Sequence, residues 1–305
     1  MPLISVVIPV YNAERYLECA LASVHTQTFS DFEIIAVDDG STDRSHAILN
    51  RLAATDPRLR VISRPNTGIV GALNDALAVA TGEFVARMDA DDWALPTRFA
   101  AQIAYLRDHP DCVALGTDIL FTDPEGAPLI RHRPAIGHEA IVAQLLEANG
   151  GAIIHPTLMV RRAALDQIGR YRPETQNFLE DLDLYLRLSD VGRLANLPDV
   201  FLHYRQHLMS INRMPGPRDV LRRQIVNPYR RRFGLAEFGP SAPNSHAPQT
   251  PSDWQRHWAY EAARGGNWSV ARKNARRATL ASLLDRRNWK CLKYVWFARP
   301  RAGVN

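Results

Sequence analysis

The sequence predicts an α/β fold: a doubly wound, mostly parallel sheet followed by a C-terminal helical appendage. Three observations predict it. Short apolar runs alternate with segments of helical spacing through the first ninety residues. Polar residues, several of them carboxylates, stand directly after the apolar runs. A stretch at 239–251, made of Gly, Pro, Ser, Asn, His, Gln and Thr with two Ala, reads as a linker before a basic, tryptophan-bearing tail.

The elements follow in order. Ile4–Val10 is a continuous apolar run, as expected of a strand buried on both faces. Residues 13–27 carry Leu17, Leu21 and Val24 at helical spacing. Glu33–Val37 is a second strand. Asp39-Gly40-Ser41 makes a turn, with Ser41 expected to cap a helix reaching Leu52. Leu59–Ile62 is a third strand, 70–80 a third helix ending at Gly82, and Phe84–Met88 a fourth strand. The part from 113 to 210 is less regular, although Leu179–Leu188 has a helical pattern with Leu182, Tyr185 and Leu188 on one side. After 252, Trp254/Trp258 and Trp268/Ala271/Ala275/Ala278 recur at helical spacing. They predict a helical hairpin, or the start of a third helix near Trp289–Trp296. Its second helix is expected to pack through alanines and to show Arg272, Lys273, Arg276 and Arg277 to solvent. The expected boundaries are 1–238 for the body, 239–251 for the linker and 252–305 for the basic helical appendage.

Bulk properties narrow the classes. With 305 residues, 46% of them hydrophobic, the chain can bury a sizeable core. No run of eighteen apolar residues predicts a membrane-spanning helix. Met1–Ser5 lacks the basic-then-apolar pattern of a secretory signal. Cys19, Cys112 and Cys291 are too few and too scattered for a disulfide framework or a zinc site, so a reducing, cytoplasmic setting is expected. The net charge is +5, but from Ser252 onward twelve Lys and Arg face three Asp and Glu. The tail therefore carries +9 and the rest −4. An acidic body argues against nucleic acid as a partner. The tail could meet an anionic membrane surface, placing the protein peripherally on the inner face, or could pack on the body with a solvated basic face.

In doubly wound sheets ligands bind beyond the carboxyl ends of the strands. Tyr11-Asn12, Asp38-Asp39, Asn66 with Gly68, and Asp89-Ala90-Asp91 all occupy such positions and should converge on one edge. In Asp89-Ala90-Asp91-Asp92, three carboxylates in four residues repel one another and call for a cation. Oxygen ligands in a loop suit Mg²⁺ or Mn²⁺. The competing reading is a solvated loop or a helix start, and Asp92 is expected to serve that start. Asp38-Asp39 can accept hydrogen bonds from a base N–H or a ribose hydroxyl, or can form an Asx-turn. Glu180-Asp181 opens an amphipathic helix, where the free N–H groups and the dipole should keep a carboxylate's pKa low and suit it to act as a general base. Asp183, on the same turn, is the confounder. In His203–His207, Arg205 could contact a diphosphate. His155-Pro156-Thr157 followed by Arg161-Arg162 reads only as a turn and a solvated helix start.

These motifs together resemble the family 2 glycosyltransferases: Ser5–Asn12, then Val37–Asp43, then Asp89–Asp92, then Glu180-Asp181. The resemblance covers about residues 3–210. It implies a glycosyltransferase A-type fold, like that of nucleotide-diphospho-sugar transferases, with 1–238 as the catalytic domain. It also implies a nucleotide-diphosphate sugar donor, with a uridine or thymidine nucleotide (UDP- or dTDP-sugar) expected, and inversion at the anomeric carbon. By motif match, Pro9, Tyr11 and Asp39 would line the nucleobase pocket, with Asp38 nearby; Asn12 and Asn66, which follow the first and third strands, are expected to bind the donor as well. Asp89 would sit near the ribose with Ala90 beside it at the donor, Asp91 would hold Mn²⁺ or Mg²⁺ on the diphosphate, and Asp181 would deprotonate an acceptor hydroxyl on a glycan or lipid-linked acceptor. The segment Tyr204–His207, with Arg205, resembles a stretch near the diphosphate. Processive members carry Gln-x-x-Arg-Trp, whereas Gln224 is followed by Ile225-Val226-Asn227, so single-sugar transfer is expected, in cell-surface polysaccharide or glycoconjugate assembly. A nucleotidyltransferase would be expected to show a Gly-rich basic loop after the first strand, where Tyr11-Asn12-Ala13-Glu14 stands. A non-catalytic scaffold would be expected to have lost Asp91 or Asp181.

Overall fold

The computed structural model describes residues 1–175, 178–208, 218–240 and 250–297. Most of the linker expected at 239–251 falls on 241–249, outside the described residues. The chain divides into two compact units. The first holds Met1–Ile119, Arg133–Leu202 and Gly216–Ser241; the second gathers Leu120–His132, His203–Pro215 and Ala242–Asn305.

In the first unit the expected alternation is present. The elements are β1 (Ile4–Val10), α1 (Leu17–His25), β2 (Phe32–Asp39), α2 (Ser45–Ala53), β3 (Leu59–Arg64), α3 (Ile69–Val79), β4 (Phe84–Arg87), the two-residue β5 (Trp93–Ala94) and α4 (Arg98–Asp108). There follow β6 (Cys112–Thr122), β7 (Pro128–Arg131, which belongs to the second unit), α5 (His138–Leu146), β8 (Met159–Arg161), α6 (Arg162–Gln167), α7 (Glu180–Leu188), β9 (Arg193–Arg205) and α8 (Arg218–Arg232). β6 and β9 contribute residues to both units. The strand order is β3-β2-β1-β4-β8-β6-β9-β5, with β7 pairing β6. The four strands read from sequence form the parallel block. Ile4–Val10 runs beside Phe32–Asp38, Ile34–Asp39 beside Leu59–Arg64, and Ile4–Val7 beside Phe84–Arg87. β8 then joins β4 antiparallel, and β6 joins β8 the same way.

β1 is buried on both faces, which is why it shows no alternation in sequence. Val7 belongs to a core with Leu73, Ala76 and Leu77 of α3 and Leu182 and Leu186 of α7. Val6 and Ile8, one pleat away, are equally buried on the other face. Each such aliphatic side chain contributes about 1.5–3 kcal/mol when fully buried. The block reverses direction of winding between β1 and β4. There β4 pairs β1 only as far as Val7, leaving Pro9, which has no N–H to donate, at the open end.

Two sequence expectations need correction. Ser41 does not cap α2, which begins four residues later with Arg44 at its cap position. Its hydroxyl accepts the Asn12 N–H at 3.0 Å instead, and Asp43 accepts the Ser45 N–H at 2.9 Å. Nor does Asp92 start a helix: Trp93–Ala94 forms β5 and α4 begins only at Arg98.

The second unit is built on α9 (Pro251–Arg264), α10 (Trp268–Ala281) and α11 (Arg286–Phe297), with β7 against the Leu120–Thr122 end of β6. Thr250 and Asp253 form a capping box at the start of α9. The expected hairpin is therefore followed by a third helix. Ala271, Ala275 and Ala278 are buried as expected, around a core that includes Trp258, Cys291 and Val295. Lys273 departs from expectation: it is half-buried and paired with the buried carboxylate of Asp123.

Candidate active site

The carboxyl ends of the parallel strands carry the polar groups that the sequence singled out. Asp38 and Asp39 close β2, and both side chains are buried. Asp39 ties the loop before α3: its Oδ1 accepts the Thr67 N–H at 3.1 Å and its Oδ2 the Gly68 N–H at 2.8 Å. The Arg64 guanidinium stands 3.3 Å away. Asp38 accepts the Ser41 N–H at 3.1 Å and lies 3.1 Å from His46 Nδ1. Between them Gly40 adopts φ +73°, and a Cβ there would lie 2.7 Å from the Asn66 nitrogen. Only glycine lets the turn after β2 approach the loop after β3 this closely. Asn12, at φ 49°, is absorbed in the same knot, its carboxamide oxygen accepting the Thr42 N–H at 2.8 Å. Tyr11 beside it is 53% exposed, so its ring offers a face to solvent. Asn66 is exposed.

Beyond β4, Asp89, Asp91 and Asp92 are brought together. Each offers one carboxylate oxygen, and these atoms lie within 4.8 Å of one another. Hard oxygen donors at this spacing fit a small divalent cation such as Mg²⁺ or Mn²⁺. Asp92 is buried, and Ala90 is buried between its acidic neighbours. The Arg87 guanidinium, itself buried, pairs with Asp89 at 2.5 Å and so offsets part of the charge.

Asp181 stands in the first turn of α7, behind Leu179, which holds the left-handed conformation at φ 57°. A non-glycine residue in that region costs free energy that the surrounding structure must supply. The Asp181 carboxylate lies against the backbone of Gly150: a Cβ built there would be 3.1 and 3.2 Å from its two oxygens. The low pKa expected from the helix dipole is overridden. Burial, opposed in part by the Leu182 N–H and the Arg87 charge, raises the Asp181 carboxyl. Burial, together with the Asp181 charge, pushes Glu180 up to about 7. Asp183, the confounder, is otherwise engaged: it pairs with Arg187 at 2.6 Å and is turned into the fold.

Four buried residues complete this arrangement, and the sequence reading assigned none of them to the site. His155 forms a 2.7 Å hydrogen bond between Nε2 and the Tyr171 hydroxyl, and its Nδ1 is 3.8 Å from Glu180. Burial and the Arg87 charge hold His155 well below its ordinary pKa, so it is neutral. The Tyr185 hydroxyl is buried and, among the described residues, has no hydrogen-bond partner. Arg87 is the link, since its charge acts on Asp89, Glu180 and Asp181. An Arg inside the apolar run Phe84–Met88 was the available signal, because a buried charge requires a partner. Arg205 lies in the second unit, buried, where its guanidinium donates to the Pro124 carbonyl at 2.8 Å.

Residues 5–169 match the model of the family described as Glycosyl transferase family 2. The chain is a family 2 glycosyltransferase. The amylovoran biosynthesis glycosyltransferase AmsE of Erwinia amylovora is 32% identical over 239 residues, 77% of this chain and 87% of that one. Among solved structures, S. aureus TarS 1-349 in complex with UDP-GlcNAc superposes with a TM-score of 0.60 at 19% identity, covering 96% of this glycosyltransferase and 90% of that 1-349 chain. The mannosyltransferase PcManGT of Pyrobaculum calidifontis, in complex with GDP-Man and Mn²⁺, gives a TM-score of 0.54 at 19% identity, covering 93% and 76%. These likenesses show that the glycosyltransferase has the A-type fold, its parallel block extended by antiparallel strands.

Proposed function

We propose that this glycosyltransferase transfers one sugar, with inversion and with a divalent metal, from a nucleotide-diphosphate donor to an acceptor hydroxyl. The observation that carries the reading is the pair of acidic groups Asp89/Asp91/Asp92 and Glu180/Asp181 in one unit, linked by the Arg87 charge. A UDP- or dTDP-sugar is the expected donor, in keeping with the UDP-GlcNAc of TarS, whereas PcManGT holds GDP-Man. The AmsE likeness favours a glycan or lipid-linked acceptor in polysaccharide assembly. The free cysteines suit a reducing, cytoplasmic setting for this reaction.

In this reading the turns after β1, β2 and β3 hold the nucleoside, with Pro9, Tyr11 and the Asp38–Asp39 turn around the base. Asp89 and Ala90 face the nucleotide. Asp91, with Asp89 and Asp92 beside it, would hold Mn²⁺ or Mg²⁺. When bound, the metal would offset charge on the departing diphosphate. Asp181 takes the proton from the acceptor hydroxyl. The acceptor oxygen bonds to the anomeric carbon as the carbon–diphosphate bond breaks and its electron pair leaves with the diphosphate. One base suffices for direct displacement; retention through a covalent intermediate would need a second, nucleophilic carboxylate. Arg205 is assigned to the diphosphate on sequence resemblance alone.

The test is a thermal-shift screen of nucleotide sugars with Mn²⁺, because a stabilising donor names half the reaction. Turnover of the hit is then compared with that of Asp181→Asn. Retained donor binding with turnover down by about 10²–10⁴-fold is expected. Normal turnover in that variant refutes the assignment of the base.

A further inference from the structure

The helices of the second unit present a surface on which none of the proposed donor, metal or base residues stands. α11 buries Asn288, Cys291 and Val295. Its other side carries three pairs of exposed residues seven positions, or two turns, apart: Trp289 with Trp296, Arg286 with Lys293, and Lys290 with Phe297. Aromatic and cationic side chains therefore alternate along one stripe. The turn before α11 extends the apolar part, with Leu283 58% exposed and Leu284 96% exposed. The Trp289 indole N–H donates to the Leu283 carbonyl at 2.7 Å, which holds the turn against the stripe. On α10, Arg272 and Arg276 lie over the Trp296 ring, 5.7 and 4.6 Å from its centre. Among the described residues, Arg286, Lys290 and Lys293 have no ion pair.

Exposed leucines and tryptophans ringed by five cations suit one kind of partner. A second copy of the chain would bring the same cations face to face. A nucleic acid would satisfy the cations but leave Leu283 and Leu284 with nothing apolar to meet. An anionic bilayer satisfies both: indole and leucine side chains settle at the headgroup boundary while Lys and Arg meet lipid phosphates. No described helix is long and apolar enough to cross a membrane. α11, with 12 residues, spans only about 18 Å, so it would lie in the plane of the interface.

We propose that the face formed by α11, the turn before it and Arg272 and Arg276 of α10 docks the protein on an anionic lipid surface. The proposal stands independently of which donor the enzyme takes.

The experiment is flotation of the full chain with vesicles of phosphatidylcholine alone, and of equal parts phosphatidylcholine and phosphatidylglycerol. Binding is expected only to the second kind and to weaken with salt. Each cation near such a surface is worth about five-fold in partitioning. Arg286→Glu/Lys290→Glu/Lys293→Glu should therefore lose roughly a hundred-fold or more. Leu284→Ser should lose about ten-fold. All four positions are exposed, so thermal unfolding should be unchanged. Failure of the unmodified chain to float with phosphatidylglycerol vesicles overturns the proposal. So does full binding by Leu284→Ser together with equal binding to heparin, which would make the face a generic polyanion surface. A dimer in light scattering that the same substitutions dissolve also overturns it, by assigning the face to a second copy.

Discussion

Glu180→Gln tests whether the half-buried carboxyl pair Glu180 and Asp181 is arranged as described. Glu180 ordinarily titrates near 4.5 but is pushed up to about 7 by burial and by Asp181. The charged groups around it are Asp181, Asp89 and Arg87, with neutral His155 3.8 Å away. A raised carboxyl pKa means that the folded state binds the proton more tightly than the unfolded chain. Its stabilising contribution is therefore complete below the ordinary value and is lost as pH rises towards 7. Gln mimics the protonated form at every pH. Each tenfold change in proton affinity is worth roughly 1.4 kcal/mol. The stability of the unmodified protein relative to Glu180→Gln should therefore fall by about 2–3 kcal/mol between pH 5 and pH 8. Asp181 shares the titration, so the change belongs to the pair. Urea unfolding midpoints of both proteins at pH 5, 6, 7 and 8 would measure it. A difference that stays constant over this range refutes a Glu180 carboxyl raised by burial and by the Asp181 charge.

Other substitutions probe the same edge. Gly150→Ala places a methyl group 3.1–3.4 Å from the Asp181 carboxylate. Turnover should fall at least several-fold while nucleotide binding, followed by calorimetry, is unchanged; an unaltered kcat counts against Asp181 as the base. Asp39→Asn removes one acceptor and the charge that hold Thr67, Gly68 and Arg64. It should cost about 2 kcal/mol in chemical unfolding and weaken nucleotide binding. Ser45→Ala strands the Ala13 N–H, which donates to the Ser45 hydroxyl at 2.8 Å in a buried position. A loss of about 1–3 kcal/mol is expected.

The parallel block was legible because its strands are buried on both faces and read as unbroken apolar runs, Ile4–Val10 most plainly. The carboxylates were legible because a strand's carboxyl end is fixed once the strand is. What sequence could not supply was the effect of burial. The helix-dipole argument gave Asp181 a low pKa, and desolvation reverses it. His155 read as a surface turn, yet its ring is enclosed by Tyr171 and Tyr185 from elements sixteen and thirty residues away in sequence. The short β5 and the antiparallel strands beyond β4 also escaped, since β5 and β8 are too brief to show periodicity. Ser41 misled because an Asx-turn and a helix cap use the same residue types.

A metal-dependent nucleotide site at Asp89–Asp92 should be separable from the base at Asp181. Calorimetric titration of uridine diphosphate, with and without Mn²⁺, into the unmodified protein, Asp91→Ala and Asp181→Asn tests this separation. Mn²⁺-dependent binding that Asp91→Ala loses and Asp181→Asn keeps is expected. Binding indifferent to Mn²⁺, or equal in Asp91→Ala, would contradict it.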